Sequence, residues 1–148
     1  MLLDNKNEHE PPYPMIKEKL RELIWELYCK GYHCFYVNCE YGVPLWAAEI
    51  IAALKMYNDI TLNIVLPYEE QSVKWVEEFR NRYFSVHSKA DDVVTANTHY
   101  HPDCYYEADQ MMIDESDLLV ICGKKGDLPD SVQYAESLGI EIQYIPVL

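Results

Sequence analysis

The sequence predicts an α/β fold built on a parallel sheet of about five strands with helices on both faces. Short apolar runs alternate with longer segments of helical period along nearly the whole chain. The stretch Asn38–Glu49 joins one such run to a strongly helical segment through a tight turn with a single glycine, Gly42. With 148 residues, 49% of them hydrophobic, the chain is most simply one domain with a full core.

Residues 1–14 read as a polar tail ending in the helix breakers Pro11, Pro12 and Pro14, and residues 15–148 as the single domain. Met15 to Lys30 is helical, because Ile16, Leu20, Leu23, Ile24 and Leu27 recur at helical spacing and Gly31 closes the segment. Cys34 to Val37 is an apolar strand. Leu45 to Tyr57 is a helix that is apolar nearly all round, so it is expected to be well buried. Thr61 to Leu66 is a strand stopped by Pro67, and Glu70 to Tyr83 is a third helix. Val93-Val94 marks a short strand, Ala96 to Asp103 a polar loop and Tyr105 to Glu115 a fourth helix. Leu118 to Cys122 is expected to be a strongly buried strand. Asp130 to Leu138 is a fifth helix, with Asp130 as its N-cap and Gly139 just past its end, and Ile140 to Ile145 is the last strand. Ligands of such sheets bind beyond the carboxyl ends of the strands, which directs attention to loops 38–44, 67–71, 95–104 and 123–130.

The net charge is −13 and only three residues are arginine. An acidic surface repels nucleic-acid backbones and anionic headgroups, so neither polymeric nucleic acid nor membrane is an expected partner. A small nucleotide-like ligand and a homo-oligomer both remain open. The five cysteines form no C-x-x-C pair, and Cys34 and Cys122 sit in apolar runs, which fits a reducing compartment. The amino terminus has no signal-peptide character and no apolar run reaches membrane-spanning length, so the expected location is cytoplasmic.

Ordered motifs add to this reading. They are Gly31-Tyr32 before a strand; Gly42-Val43-x-Leu45-Trp46-Ala47-Ala48-Glu49; Leu66-Pro67-Tyr68-x-x-Gln71-x-x-x-Trp75; Arg82-Tyr83 and then Ala90-Asp91; and Met112-x-Asp114-x-Ser116-Asp117-Leu118-Leu119. Tyr134-Ala135 also fits. In this set and order the chain resembles the YpsA-like branch of the SLOG superfamily (Smf/DprA and LOG proteins), from about Met15 onward. The resemblance implies a Rossmann-like fold and a nucleotide-like ligand.

Departures from the family pattern fall on its loops. No segment corresponds to the usual opening strand with its glycine–x–arginine loop. A glycine pair is represented by Asn38 and Cys39, an Arg-Asn pair falls near Ala108-Asp109, and a glycine–glycine–threonine loop is represented by Asp127 to Ser131. The opening strand is central in such sheets. Without it, strands 34–37 and 118–122 are expected either to pair directly or to await an apolar strand encoded upstream.

Three groups of candidate ligand residues follow. Asn38 and Gly42 belong to the strand–turn–helix junction, where backbone amides could hold an anion, although Glu40 brings a negative charge to the same place. Trp46 could stack on a base or pack in the core. Glu49, one turn into the helix, could bind ribose hydroxyls, act in breaking an N-glycosidic bond, or simply favour the helix dipole. Gly123, Lys124 and Lys125 follow the 118–122 strand and could hold a phosphate by charge and amide donors. His99, His101 and Cys104 match no common zinc spacing, so no metal and no cofactor is expected. Catalytic residues are not assigned. The expected function is a non-catalytic or degenerate nucleotide-like ligand-binding protein. Its rivals are a nucleotide N-glycosidase or phosphoribohydrolase and an acidic protein-interaction module.

Overall fold

The computed structural model describes residues 8–123 and 129–146. Ten elements alternate as expected: α1 (Tyr13–Cys29), β1 (Cys34–Val37), α2 (Val43–Leu54), β2 (Thr61–Leu66), α3 (Glu77–Lys89), β3 (Asp92–Thr95), α4 (Cys104–Asp114), β4 (Leu118–Cys122), α5 (Asp130–Ser137) and β5 (Glu141–Ile145). The fold is α/β with parallel strands throughout, consistent with a Rossmann-like architecture.

The single sheet of about five strands is corrected. There are two sheets, one in the order β1-β2-β3 and one of β4-β5. Among the described residues β1 and β4 do not pair, so the expected direct closure between them does not occur. Each has hydrogen-bonded to its outer neighbour only, and both line one groove.

The core belongs mainly to the first sheet. Leu62 and Ile64 of β2 are 0% and 1% exposed, and α2 buries Leu45, Trp46, Ala48 and Ile51 against them. That burial follows from the nearly all-apolar sequence of α2. α1 packs Ile16, Leu20 and Ile24 into the same cluster. The route from β1 through α2 to β2, and on through α3 to β3, moves outward. The route from β3 through α4 to β4 returns. Right-handed crossovers therefore put α4 and α5 on the face opposite α1, α2 and α3. The packing agrees, with α1 on α2, α2 on α3 and α4 on α5.

Two further expectations are corrected. The third helix begins at Glu77, not Glu70, because residues 69–75 form turns held by tertiary bonds. Gln71 is buried, its amide donating to the Asn38 carbonyl (3.1 Å) and accepting from the Tyr83 hydroxyl (3.1 Å). Trp75 meets Tyr41 and Tyr83 edge-on, while Val73 and Val76 are exposed, so no apolar stripe drives a helix there. β4 is only half-buried along its length, because its apolar side chains line the groove. Smaller shifts also occur. Asp130 is the first residue of α5, which Pro129 precedes as N-cap, and Cys34 is exposed.

Of the expected tail, residues 1–7 lie outside the described residues, and Glu8 is buried among three partners. Among the described residues no helix is long and apolar enough to cross a membrane.

Candidate functional site: the mouth between β1 and β4

The groove encloses about 590 Å³. The groove runs the full length of β1 and β4. Its end at their carboxyl ends, the mouth, lies where the strand order reverses, the usual ligand position of open α/β sheets. Three elements bring polar side chains there. Asn38 follows β1, Asp109 projects from α4 and Ser131 from the first turn of α5. Asp109 accepts from Asn38 Nδ2 at 3.4 Å and also from Ser131. No cation balances it among these partners. Burial pushes its carboxyl up to about 6, against the opposing effect of those two hydrogen bonds.

The turn after β1 holds a carboxylate of its own, that of Glu40. Cys39 adopts φ 57°, the left-handed conformation that favours glycine, and Gly42 adopts φ 108°, ψ −135°, which only glycine tolerates well. Cys39, which stands where the resemblance places one of the family's glycine pair, thus has a left-handed backbone. Asn38 Oδ1 accepts the Glu40 amide at 3.0 Å, an Asx turn. The Glu40 carboxylate accepts the Tyr41 amide at 2.8 Å and, on its other oxygen, the Tyr105 hydroxyl. Burial and then the Glu40 carboxylate raise the Tyr105 hydroxyl above its ordinary range, so it remains a donor. Glu40 therefore occupies one backbone donor of the loop and a hydroxyl donor from α4. The Cys39 thiol, fully buried, is pushed up to about 12 by burial and by the charges of Glu49 and Glu40. It is an inert packing group.

The remaining predicted residues separate from this mouth. Trp46 is 1% exposed, with its ring against Tyr13, its Nε1 donating to Glu8 (3.3 Å) and Lys17 above it. No face is left for a base in this arrangement. Glu49 is gripped by Arg82 through both carboxylate oxygens, at 3.1 and 2.6 Å. Arg82 also donates to Glu8 at 2.8 Å. Burial alone would raise the Glu8 carboxyl, but the bond from Lys17 and the charge of Arg82 outweigh it and hold it below the usual range. Gly123 extends β4, its amide donating to Ile145 (3.1 Å). Lys124 and Lys125 lie outside the described residues.

His99 faces Glu70, His101 faces Asn97 and Glu107, and Cys104 is fully buried. Among the described residues no cluster of three or more His, Cys, Asp or Glu side chains could hold a metal. Asp109 and Ser131 are the site residues that sequence reading did not select. The available signal was their coincidence with two of the family's loop positions.

Comparison with known proteins supplies the family. The YpsA family model (YspA SLOG family) matches residues 3–137. The chain belongs to this family. UPF0398 proteins of Bacillus thuringiensis (strain Al Hakam) and Bacillus cereus (strain AH187) are each 31% identical over 118 residues. A UPF0398 protein of Bacillus cereus (strain B4264) is 30% identical over the same length. In each case the match covers 78% of this chain and 64% of the relative, so the chain spans about two thirds of these relatives' length.

Proposed function

We propose that the protein binds a nucleoside-like small ligand at the mouth between β1 and β4 and does not turn it over. The observation that carries this reading is the convergence of Asn38, Asp109 and Ser131 at the carboxyl-end mouth of a largely apolar groove. Family membership supports the ligand class. A carboxyl with a raised pKa beside an amide and a hydroxyl presents donors and acceptors suited to a base edge or ribose hydroxyls. A buried acid without a cation weakens the fold at neutral pH, and groups kept at such a cost are candidates for function. Binding without turnover is supported by Glu49, whose two oxygens are committed to Arg82. Glu40 fills one backbone donor of the first loop, so a phosphate on the ligand would turn to Lys124 and Lys125.

Titration calorimetry with adenosine, AMP and their guanine and pyrimidine counterparts tests the reading. Asp109→Asn is expected to alter affinity for nucleoside and nucleotide alike. The double substitution Lys124→Ala, Lys125→Ala should weaken only the phosphorylated ligand, by about 1.5–3 kcal/mol for a charge-assisted contact. Absence of binding by any of these compounds removes the reading. Release of free base on incubation, abolished by Asp109→Asn, replaces it with the glycosidase rival. An acid titrating near 6 is suited to that chemistry.

A further inference from the structure

β3 is the most exposed strand among the described residues. All four of its residues are exposed, Val93 to 40% and Val94 to 38%. It ends the three-stranded sheet, with β2 on one side and, among the described residues, no strand on the other. Edge strands are ordinarily blunted by lysine, proline or a bulge. β3 reads Asp-Val-Val-Thr, pairs with β2 in unbroken register and has none of these; its one charge, Asp92, stands at its end. The Ala96 amide donates to the Leu66 carbonyl at 2.8 Å. By the alternation of a strand, Val94 turns its amide and carbonyl toward β2, while Val93 and Thr95 turn theirs to the free edge.

A second copy of the same edge fits it. Two such strands related by a two-fold axis normal to the sheet run antiparallel, and residues opposite each other share a face. Centred on Val94, the pairing sets Val94 against Val94, and Val93 against Thr95 on either side of the axis. Val93 and Thr95 are the residues with outward backbone groups, so each such pair exchanges both of its N–H···O bonds. Asp92 meets Ala96, so no like charges are opposed.

The helix over this edge is compatible with the same axis. Arg82 reaches Glu49, which turns that flank of α3 toward α2. Helical spacing puts Glu77, Arg80, Asn81 and Phe84 on the opposite flank, all of them exposed, Phe84 to 54%. Neighbouring strands are about 4.8 Å apart, so a helix lying over β2 and β3 stands roughly 10 Å from its copy across the paired edges, an ordinary helix–helix distance. The strand rise from Ala90 to Val94 equals that of about nine helical residues, so the axis passes α3 near Asn81. Phe84 of one copy then comes level with Glu77 and Arg80 of the other. α3 is also the only described helix whose cations, Arg80, Arg82 and Lys89, outnumber its acids, Glu77 and Glu78. In a chain of net charge −13 it offers the flank on which two copies repel least.

We propose that the free edge of β3 and the outer flank of α3 form an isologous dimer interface, in which two copies pair β3 antiparallel about Val94 and join their three-stranded sheets into one. This goes beyond the ligand reading, since the mouth lies beyond β1, on the other side of that sheet.

Sedimentation velocity from about 1 to 100 μM tests the proposal, because a small interface associates in the micromolar range. The parent protein is expected to move from the mass of the 17.4 kDa chain to twice that mass. Val93→Pro removes an outward donor and leaves the bonds to β2 in place, so it is expected to remain monomeric. Val94→Lys and Val94→Asp each oppose like charges at the axis and should weaken self-association at least about tenfold. Mixed in equal amounts, these two variants are expected to recover a dimer, because lysine then faces aspartate. A parent protein still monomeric at about 100 μM overturns the proposal and leaves the edge to a strand of another chain. A Val93→Pro variant that dimerises like the parent overturns it by moving the interface elsewhere. Val94 variants that self-associate as tightly as the parent, or that fail to recover on mixing, overturn it too. Should Val93→Pro lose its fold by circular dichroism, the two Val94 variants decide alone. AMP binding measured on the parent and on Val94→Lys is a separate readout, so either reading can fail without the other.

Discussion

The two sheets come from equally apolar sequence and reach different ends. β2 lies between two partners and under α2, with Leu62 and Ile64 sealed from solvent. β4, whose Leu-Leu-Val-Ile-Cys is no less hydrophobic, is half-exposed at every position. The difference teaches that a strand's burial is a property of its neighbours. α2 is apolar all round and covers β1 and β2, whereas β4 has a partner on one edge and a groove on the other.

Truncating the same residue type in the two sheets tests this contrast most strongly. Ile64→Ala, at 1% exposure, is expected to cost about 4 kcal/mol through lost burial and a cavity that the close-packed surroundings cannot collapse. Ile121→Ala, at the groove, is expected to cost about 1.5 kcal/mol, since part of its surface is already wet. Urea denaturation measures both. Equal losses would mean that β4 is as buried in solution as β2.

The second test targets what ties the well-packed half together. Arg82 joins α3 to Glu49 of α2 and to Glu8 ahead of α1. Arg82→Ala leaves Glu8 buried with one fewer cation and should cost about 3 kcal/mol at neutral pH. Glu8 has a lowered folded pKa, so its contribution is present above the ordinary value of 4.5 and lost as pH falls through the lowered one. The penalty of Arg82→Ala should therefore shrink under acid. A penalty unchanged between pH 7 and pH 3 would assign the effect to lost packing instead.

Much of the architecture was legible because apolar period is a local property. All five strands and the four helices α1, α2, α4 and α5 emerge within a few residues of their observed bounds. The start of α3 was not legible, because Gln71 is drawn inward by Asn38 and Tyr83, partners 33 and 12 residues away. Nor was the division into two sheets, since Leu118–Cys122 reads as apolar whether it meets a strand or a groove. At the candidate site, Asn38 and Gly42 announce themselves by turn chemistry. Asp109 does not, because its meeting with Asn38 spans 71 residues of sequence. Trp46 and Glu49 look functional in the motif, and only the fold shows that Trp46 meets Glu8 and that Glu49 is paired with Arg82.

A third test concerns the open half and its acid. The Asp109 carboxyl is raised from 3.8 to about 6, so the folded state holds that proton more firmly than the unfolded chain. The resulting stabilisation is present below about 3.8 and lost as pH rises through about 6, a difference on the order of 3 kcal/mol. Asp109→Asn removes this dependence. It should stabilise the protein by about 2 kcal/mol at pH 8 and by little at pH 4. Thermal melts of the two proteins across that range decide it, and a variant less stable than the parent at pH 8 would show that the ionised carboxylate has a cation partner.

The smallest effect returns to the junction between the halves, at Cys39. At an ordinary buried position, glycine is worse than alanine by about 0.8 kcal/mol of lost methylene burial. Added conformational freedom in the unfolded chain costs roughly 0.5–1 kcal/mol more. Cys39 sits at φ 57°, where any side chain carries a left-handed penalty of roughly 1–2 kcal/mol that glycine escapes. The two effects oppose each other and nearly cancel. Cys39→Ala and Cys39→Gly are therefore expected to be destabilised to the same extent, within about 0.5 kcal/mol. The comparison isolates the backbone, because both variants lose the same thiol from the same sealed site. A glycine variant less stable than the alanine variant by the full ordinary difference would mean that residue 39 relaxes out of the left-handed region in solution. The turn's likeness to a glycine-built anion loop would then lie in its sequence position alone.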